Sequence, residues 1–83
     1  MKIQFKTGGA LVEHLPPGTT GSTAEIDVPE GATPVDVMRE LHLPLDENYL
    51  VSLNGEVVVA SERDTKTLSE NDQLAIMPPL KGG

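Results

Sequence analysis

At 83 residues the chain has room for one small domain, which buries somewhat more than about 60% of its unfolded surface. Thirteen acidic residues against six basic ones leave a formal charge of −7, and Tyr49 and Phe5 are the only aromatics, so phosphate backbones are repelled, bases find no stacking surface, and nucleic acid is excluded as a direct partner. The absence of cysteine excludes a disulfide framework and a Cys-based metal site, and any sulfur the protein carries has to sit somewhere other than a side-chain thiol.

The start, Met1-Lys2-Ile3-Gln4-Phe5-Lys6, lacks the apolar stretch of a signal peptide, and no run reaches transmembrane length. The expected location is cytoplasmic, with no membrane partner. Ile3 and Phe5 alternate with Lys2, Gln4 and Lys6, the period-two pattern of a half-buried strand that ends at Thr7-Gly8-Gly9. Residues 10–15 read as either a short helical turn or a second hairpin arm, closed in both cases by Pro16-Pro17-Gly18. A polar surface loop, residues 19–23, leads to a second strand in which Ala24, Ile26 and Val28 share one face. Pro29-Glu30-Gly31 turns the chain.

The helix signal comes next. Thr33 is a capping residue, Pro34 suits the first turn, and Asp36 completes a capping box. At about 100° per residue, Val35, Val37, Met38 and Leu41 fall on one side and Asp36, Arg39 and Glu40 on the other. His42-Leu43-Pro44 ends the helix. Two β-rich runs, residues 49–53 and 56–59, flank Asn54-Gly55, a pair suited to the positive φ angles of a type I′ hairpin turn. A polar stretch over residues 60–66 loops across the surface, Thr67-Leu68 re-enters, and Glu70-Asn71-Asp72 turns into a last strand, Leu74-Ala75-Ile76-Met77. Ile3, Phe5, Ile26, Val28, Val35, Met38, Leu41, Leu53, Leu74 and Ile76 form the expected core.

Beyond the last strand, the chain changes character. Pro78 and Pro79 lack amide hydrogens and hold the preceding residues extended, which makes a stiff stalk. Leu80 lies past that stop, where the body cannot easily cover it, and is expected to pack in a partner's groove. Gly82 and Gly83 have no Cβ, so a narrow channel can close around their backbone and reach a terminal carboxylate. The expected division is a domain over residues 1–77 and an extended tail over residues 78–83. No internal catalytic constellation is present. His14 and His42 stand beside no carboxylate at ligand spacing and suit surface or capping roles, so no metal is assigned. Ser52, Ser61 and Ser69 lack the surroundings of a nucleophile elbow, and Gly8, Gly9, Gly18 and Gly21 match no phosphate loop.

The tail Pro78-Pro79-Leu80-Lys81-Gly82-Gly83, with "PPG" before the second strand, "VPEGAT" before the helix and "LNG" at the hairpin, resembles the MoaD/ThiS-type sulfur carriers, relatives of ubiquitin. The likeness is greater to the molybdopterin synthase small subunit than to the shorter thiazole carrier. It implies an α+β, β-grasp fold, a mixed sheet of four to five strands covered by one main helix, with the first and last strands parallel. It also implies that Gly83 is adenylated and converted to a thiocarboxylate that donates sulfur in cofactor biosynthesis. Pro78, Pro79, Leu80, Lys81 and Gly82 would then be the segment partners grip. The implied partners are an adenylating (E1-like) activating enzyme, a sulfur donor such as a cysteine desulfurase, and a large synthase subunit or other sulfur acceptor. No cofactor is expected to bind the chain, ATP being the activating enzyme's substrate, and the chain itself is expected to be a carrier rather than an enzyme. Thiamine thiazole synthesis, tRNA thiolation, a ubiquitin-like protein modifier and a β-grasp interaction module with an inert terminus stay open as alternatives. Asn71-Asp72 stands where the family often has Gly-Asp, Ile76-Met77 where the molybdopterin members often have aromatics, and Lys81 where small or apolar residues are common.

Overall fold

Alternation of apolar and polar residues builds the sheet. The computed structural model describes residues 1–15, 21–43 and 49–78. Its strands are β1 (Lys2–Lys6), β2 (Thr23–Asp27), β3 (Leu50–Leu53), β4 (Glu56–Val57) and β5 (Gln73–Met77), with one helix, α1 (Pro34–Glu40), between β2 and β3. They form a single mixed sheet in the order β2-β1-β5-β3-β4. β1 runs antiparallel to β2 and parallel to β5, with Phe5 opposite Leu74, while β3 is antiparallel to both β5 and β4. This is the architecture the family resemblance implies, including the parallel central pair.

One face of the sheet carries Ile3, Phe5, Ile26, Val51, Leu53, Leu74 and Ile76, all buried. α1 lays Val37 and Met38 on that face, and Leu41 and Leu43 extend the contact past its end. Residues 10–14 form part of a 3-10 helix (Gly9–His14), the helical one of the two forms left open by the sequence, and Leu11 and, just past its end, Leu15 join the core. The second strand starts and ends one residue earlier than its pattern predicts, with Val28 still buried just beyond it. Within the expected core one residue differs. Val35 is half-buried: at about 100° per residue it lies at the edge of the apolar arc, roughly 40° from the exposed Arg39, and its N–H donates to the Arg63 carbonyl at 3.1 Å.

Both ends of α1 are closed locally. The Thr33 hydroxyl accepts from the Asp36 amide at 3.3 Å, and the Asp36 carboxylate accepts from the Thr33 amide at 3.0 Å, so two otherwise orphaned donors are satisfied. Thr33→Ala is expected to cost about 0.5–2 kcal/mol of stability, measured by denaturant unfolding. At the other end, the Leu43 amide reaches the Met38 carbonyl at 2.8 Å and the His42 amide reaches that of Arg39 at 3.1 Å. These are the two bonds of a Schellman motif, with His42 in the left-handed position (φ 59°) that glycine usually fills. The neighbouring His14 caps the same end, its Nδ1 lying 3.2 Å from the Leu41 carbonyl oxygen. Both histidines therefore have the surface and capping roles expected of them.

The β3–β4 turn has Asn54 at φ 52° and Gly55 at φ 87°, as a type I′ hairpin requires. Asn54 also ties the start of β5: its Nδ2 donates to Asp72 Oδ1 at 3.0 Å, and its Oδ1 accepts from the Gln73 amide at 2.9 Å. Asn71, at φ 66°, makes the left-handed turn just before.

Candidate functional site

β5 is a central strand and delivers the chain to Pro78. Of the residues assigned to the site, Pro78 is half-buried at the strand's exit, and Pro79, Leu80, Lys81, Gly82 and Gly83 lie outside the described residues. The geometry that bears on the site is therefore that of the platform from which this segment starts.

Three features define the platform. The first is the corner Thr7-Gly8-Gly9, where β1 stops while its parallel neighbour β5 continues. The buried Thr7 hydroxyl donates to the Ile76 carbonyl at 2.6 Å, and the Thr7 amide donates to the Ser22 carbonyl at 3.0 Å. A Cβ on Gly9 would lie 3.2 Å from Pro78 Cγ, and one on Gly8 would lie 3.5 Å from Met77 Sδ. The second is the outward face of the sheet, which is divided. Its β2–β1 half is polar, with Lys2 Nζ 3.3 Å from Glu25 Oε1 and the Gln4 side-chain amide donating to Glu25 Oε2 at 3.1 Å. Its β5–β3–β4 half carries exposed aliphatics alongside Ser52 and Gln73. Leu50 faces outward opposite Met77 with 57% of its surface exposed, and Val57, outward on β4 opposite Ser52, is 67% exposed. Ala75 lies in the same row as Ser52 and is half-buried. One large exposed aliphatic, Leu50, thus stands beside the last residue of β5, and a second, Val57, lies farther out on the same face.

The third feature is charge. Glu25 is held below the ordinary carboxylate range by the hydrogen bond from Gln4 and then by Lys2, and Lys2 is raised by its hydrogen bond to Glu25. The stabilisation from Glu25 is thus present above its unfolded pKa and lost as acid protonates it. That from Lys2 is present below its unfolded pKa and lost as alkali removes its proton. Both side chains are about half exposed, so water screens the pair and its contribution is small. Among the described residues there is no group of three or more His, Asp or Glu placed to hold a metal ion, and no helix is long and apolar enough to cross a membrane.

The exposed row and the corner were not singled out in the sequence. Leu50 sits at an outward position of the Leu50-Val51-Ser52-Leu53 alternation, a signal open to a period-two reading. The corner had none, since Thr7 and Ile76 meet only through the parallel pairing of distant strands.

A sequence model of the ThiS family matches residues 14–83. No curated protein sequence matches the chain significantly. Among solved structures, SAMP1 from Haloferax volcanii is 24% identical, with a TM-score of 0.70 and 100% of each chain covered. The HVO 2177 protein of Haloferax volcanii is also 24% identical, with a TM-score of 0.77, covering 100% of this chain and 87% of that one. A complex of subunits 1 and 2 of molybdopterin-converting factor from Helicobacter pylori includes a chain 16% identical, with a TM-score of 0.60 and full (100%) coverage of both. At these identities the structural likeness establishes the fold.

Proposed function

The chain belongs to the ThiS family, and from that premise we propose that it is a sulfur carrier whose Gly83 carboxylate is adenylated and then converted to a thiocarboxylate. The observation that carries this reading is that the family match runs through Gly83 and so takes in Pro78-Pro79-Leu80-Lys81-Gly82-Gly83. A free carboxylate is a poor acyl donor, because its charge repels nucleophiles and oxide is a bad leaving group. An activating enzyme removes both obstacles by joining the carboxylate to AMP from ATP, releasing pyrophosphate. Hydrosulfide then attacks the carbonyl carbon, AMP departs, a proton is released, and the thiocarboxylate remains. With no cysteine in the chain, the terminus is where sulfur can be carried.

Among destinations we favour molybdopterin synthesis, on the long segment after β1 and the Pro-Pro stalk. The fold shared with the subunit complex from Helicobacter pylori supports a large synthase subunit as partner. The exposed Leu50 is opposite Met77, next to the tail's origin, and Val57 lies on the same outward face two strands over, so the enzyme that takes the tail also takes this face. Leu50→Asp is expected to leave stability within about 0.5 kcal/mol and to weaken binding to the activating enzyme about tenfold or more, by calorimetry on both.

A second reading is supported by the likeness to SAMP1, a small archaeal modifier: under that reading a lysine amine of a target protein attacks the activated Gly83 of this chain and an isopeptide forms. Mass spectrometry of the protein from its native host separates the two. The carrier reading expects one terminal oxygen replaced by sulfur, and branched conjugates without thiocarboxylate would reject it in favour of the modifier.

A further inference from the structure

We infer that Thr7-Gly8-Gly9 is a seat that fixes the direction in which the chain leaves the sheet at Pro78, and thereby positions the tail for the activating enzyme. The inference rests on the reading of Gly83 as the acyl donor.

β1 pairs with β5 only as far as Lys6 opposite Ala75. Past that point, β5 has no strand beside it on the β1 side, and Pro78 has no amide hydrogen with which to make a ladder bond. The hydroxyl of Thr7 takes over, donating to the Ile76 carbonyl at 2.6 Å from a side chain only 2% exposed. The next two residues are glycines, lying against the last residue of β5 and the proline that follows it. Gly8 faces Met77, and Gly9, at φ 57°, leaves just enough room for the Pro78 ring, since a Cβ there would come within 3.2 Å of Cγ. One hydrogen bond from Thr7 and the missing side chain of Gly9 thus let the base of the tail lie against β1's end, whereas a Cβ on Gly8 would make only ordinary contact with Met77. The Leu11 amide donates to the Gly8 carbonyl at 3.2 Å, which anchors the corner to the 3-10 helix behind it.

The consequence is mechanical. Five residues follow Pro78, and at full extension they span about 17 Å. A tilt of roughly 20° at Pro78 would then displace the tip by about 6 Å over that reach. A free chain pays the cost of reorientation when it binds, whereas a preset base has that cost removed in advance. Misdirection therefore shows in KM, with kcat little changed once the tail is seated.

The test is a cycle of Gly9→Ala, Pro78→Ala and the double variant. It is read by ATP–pyrophosphate exchange with the same host's activating enzyme, alongside melting temperature and the nuclear Overhauser contact between Gly9 Hα and the Pro78 ring. We expect Gly9→Ala to remove that contact and raise KM about tenfold with kcat nearly unchanged, since the reorientation cost then falls on binding. The double variant should have a KM no worse than that of Pro78→Ala alone, because the Cγ that the new methyl would strike is gone, while the strain of a side chain at Gly9's φ of 57° lowers the melting temperature alike in both Gly9 variants. Thr7→Val, which keeps the side chain's shape but loses its donor, should also raise KM, and Thr7→Ser should restore it. Additive effects on KM in the cycle, or lowered melting temperatures with KM unchanged, would make the corner merely structural and overturn the inference. If the unaltered chain supports no exchange, the functional reading fails instead. In that case, loss of the Gly9–Pro78 contact in Thr7→Val still supports the seat, and its persistence rejects it.

Discussion

Removing Gly83 is expected to abolish adenylation while leaving the melting temperature unchanged. Each extended residue advances the chain by about 3.3–3.6 Å, so a chain ending at Gly82 presents its carboxylate one such step short of the ATP α-phosphate. Reacting atoms have to approach within about 3–3.5 Å, and errors of even 1 Å cost on the order of 100-fold, so the shortened tail falls well outside productive range. Gly82→Leu should fail for a different reason: a branched side chain meets walls fitted to bare backbone. A C-terminal tag should fail for a third, since the acyl group is then an amide inside the chain. The core runs from Ile3 to Ile76, so none of these changes touches it. Each form would be incubated with the activating enzyme, ATP and a sulfur source, and intact mass would report exchange of terminal oxygen for sulfur. Support of the pathway by a tagged form whose tag stays attached would show that Gly83 is not the reacting residue.

What could be read from the sequence was what neighbouring residues decide among themselves. Thr33 and Asp36 form their capping box within four residues, and Asn54-Gly55 sets its own turn, so both are present as expected. Asn71 likewise takes the left-handed conformation that its residue type tolerates. The parallel β1–β5 pair is different. Phe5 and Leu74 are distant in sequence, no local pattern specifies which strands pair, and the family resemblance supplied that relation. Helical periodicity put Val35 with the apolar side, but only at its edge, roughly 40° from Arg39, and there the side chain is half-buried. The positive φ of His42 was equally hidden, because histidine is not the residue that usually marks a Schellman cap. For the site, the chemistry of the glycine tail is written in local sequence, whereas its platform of Thr7, Gly8, Gly9, Leu50 and Val57 exists only after the strands assemble.

The largest loss of stability is expected from Leu74→Ala. Leu74 is fully buried (0% exposed) on the central strand β5, flanked by Phe5 on β1 and Leu53 on β3. Truncating a leucine so enclosed costs about 2–5 kcal/mol, the upper end applying where surrounding strands cannot collapse into the cavity. Here both neighbours are held by ladder hydrogen bonds, which favours the upper end. A domain of this size has about 4–12 kcal/mol of stability in total, and each kilocalorie moves its midpoint by roughly 4–8 °C. A drop of about 15–40 °C in melting temperature follows, enough to leave the variant largely unfolded at 37 °C if the wild type lies at the low end. Leu41→Ala should cost less. Leu41 is 8% exposed at the end of α1, where the last turn can shift into the space left behind. Thermal unfolding of the two variants side by side checks the ranking, and an equal or larger loss at Leu41 would mean that α1, rather than the β1–β5–β3 centre of the sheet, holds the core together.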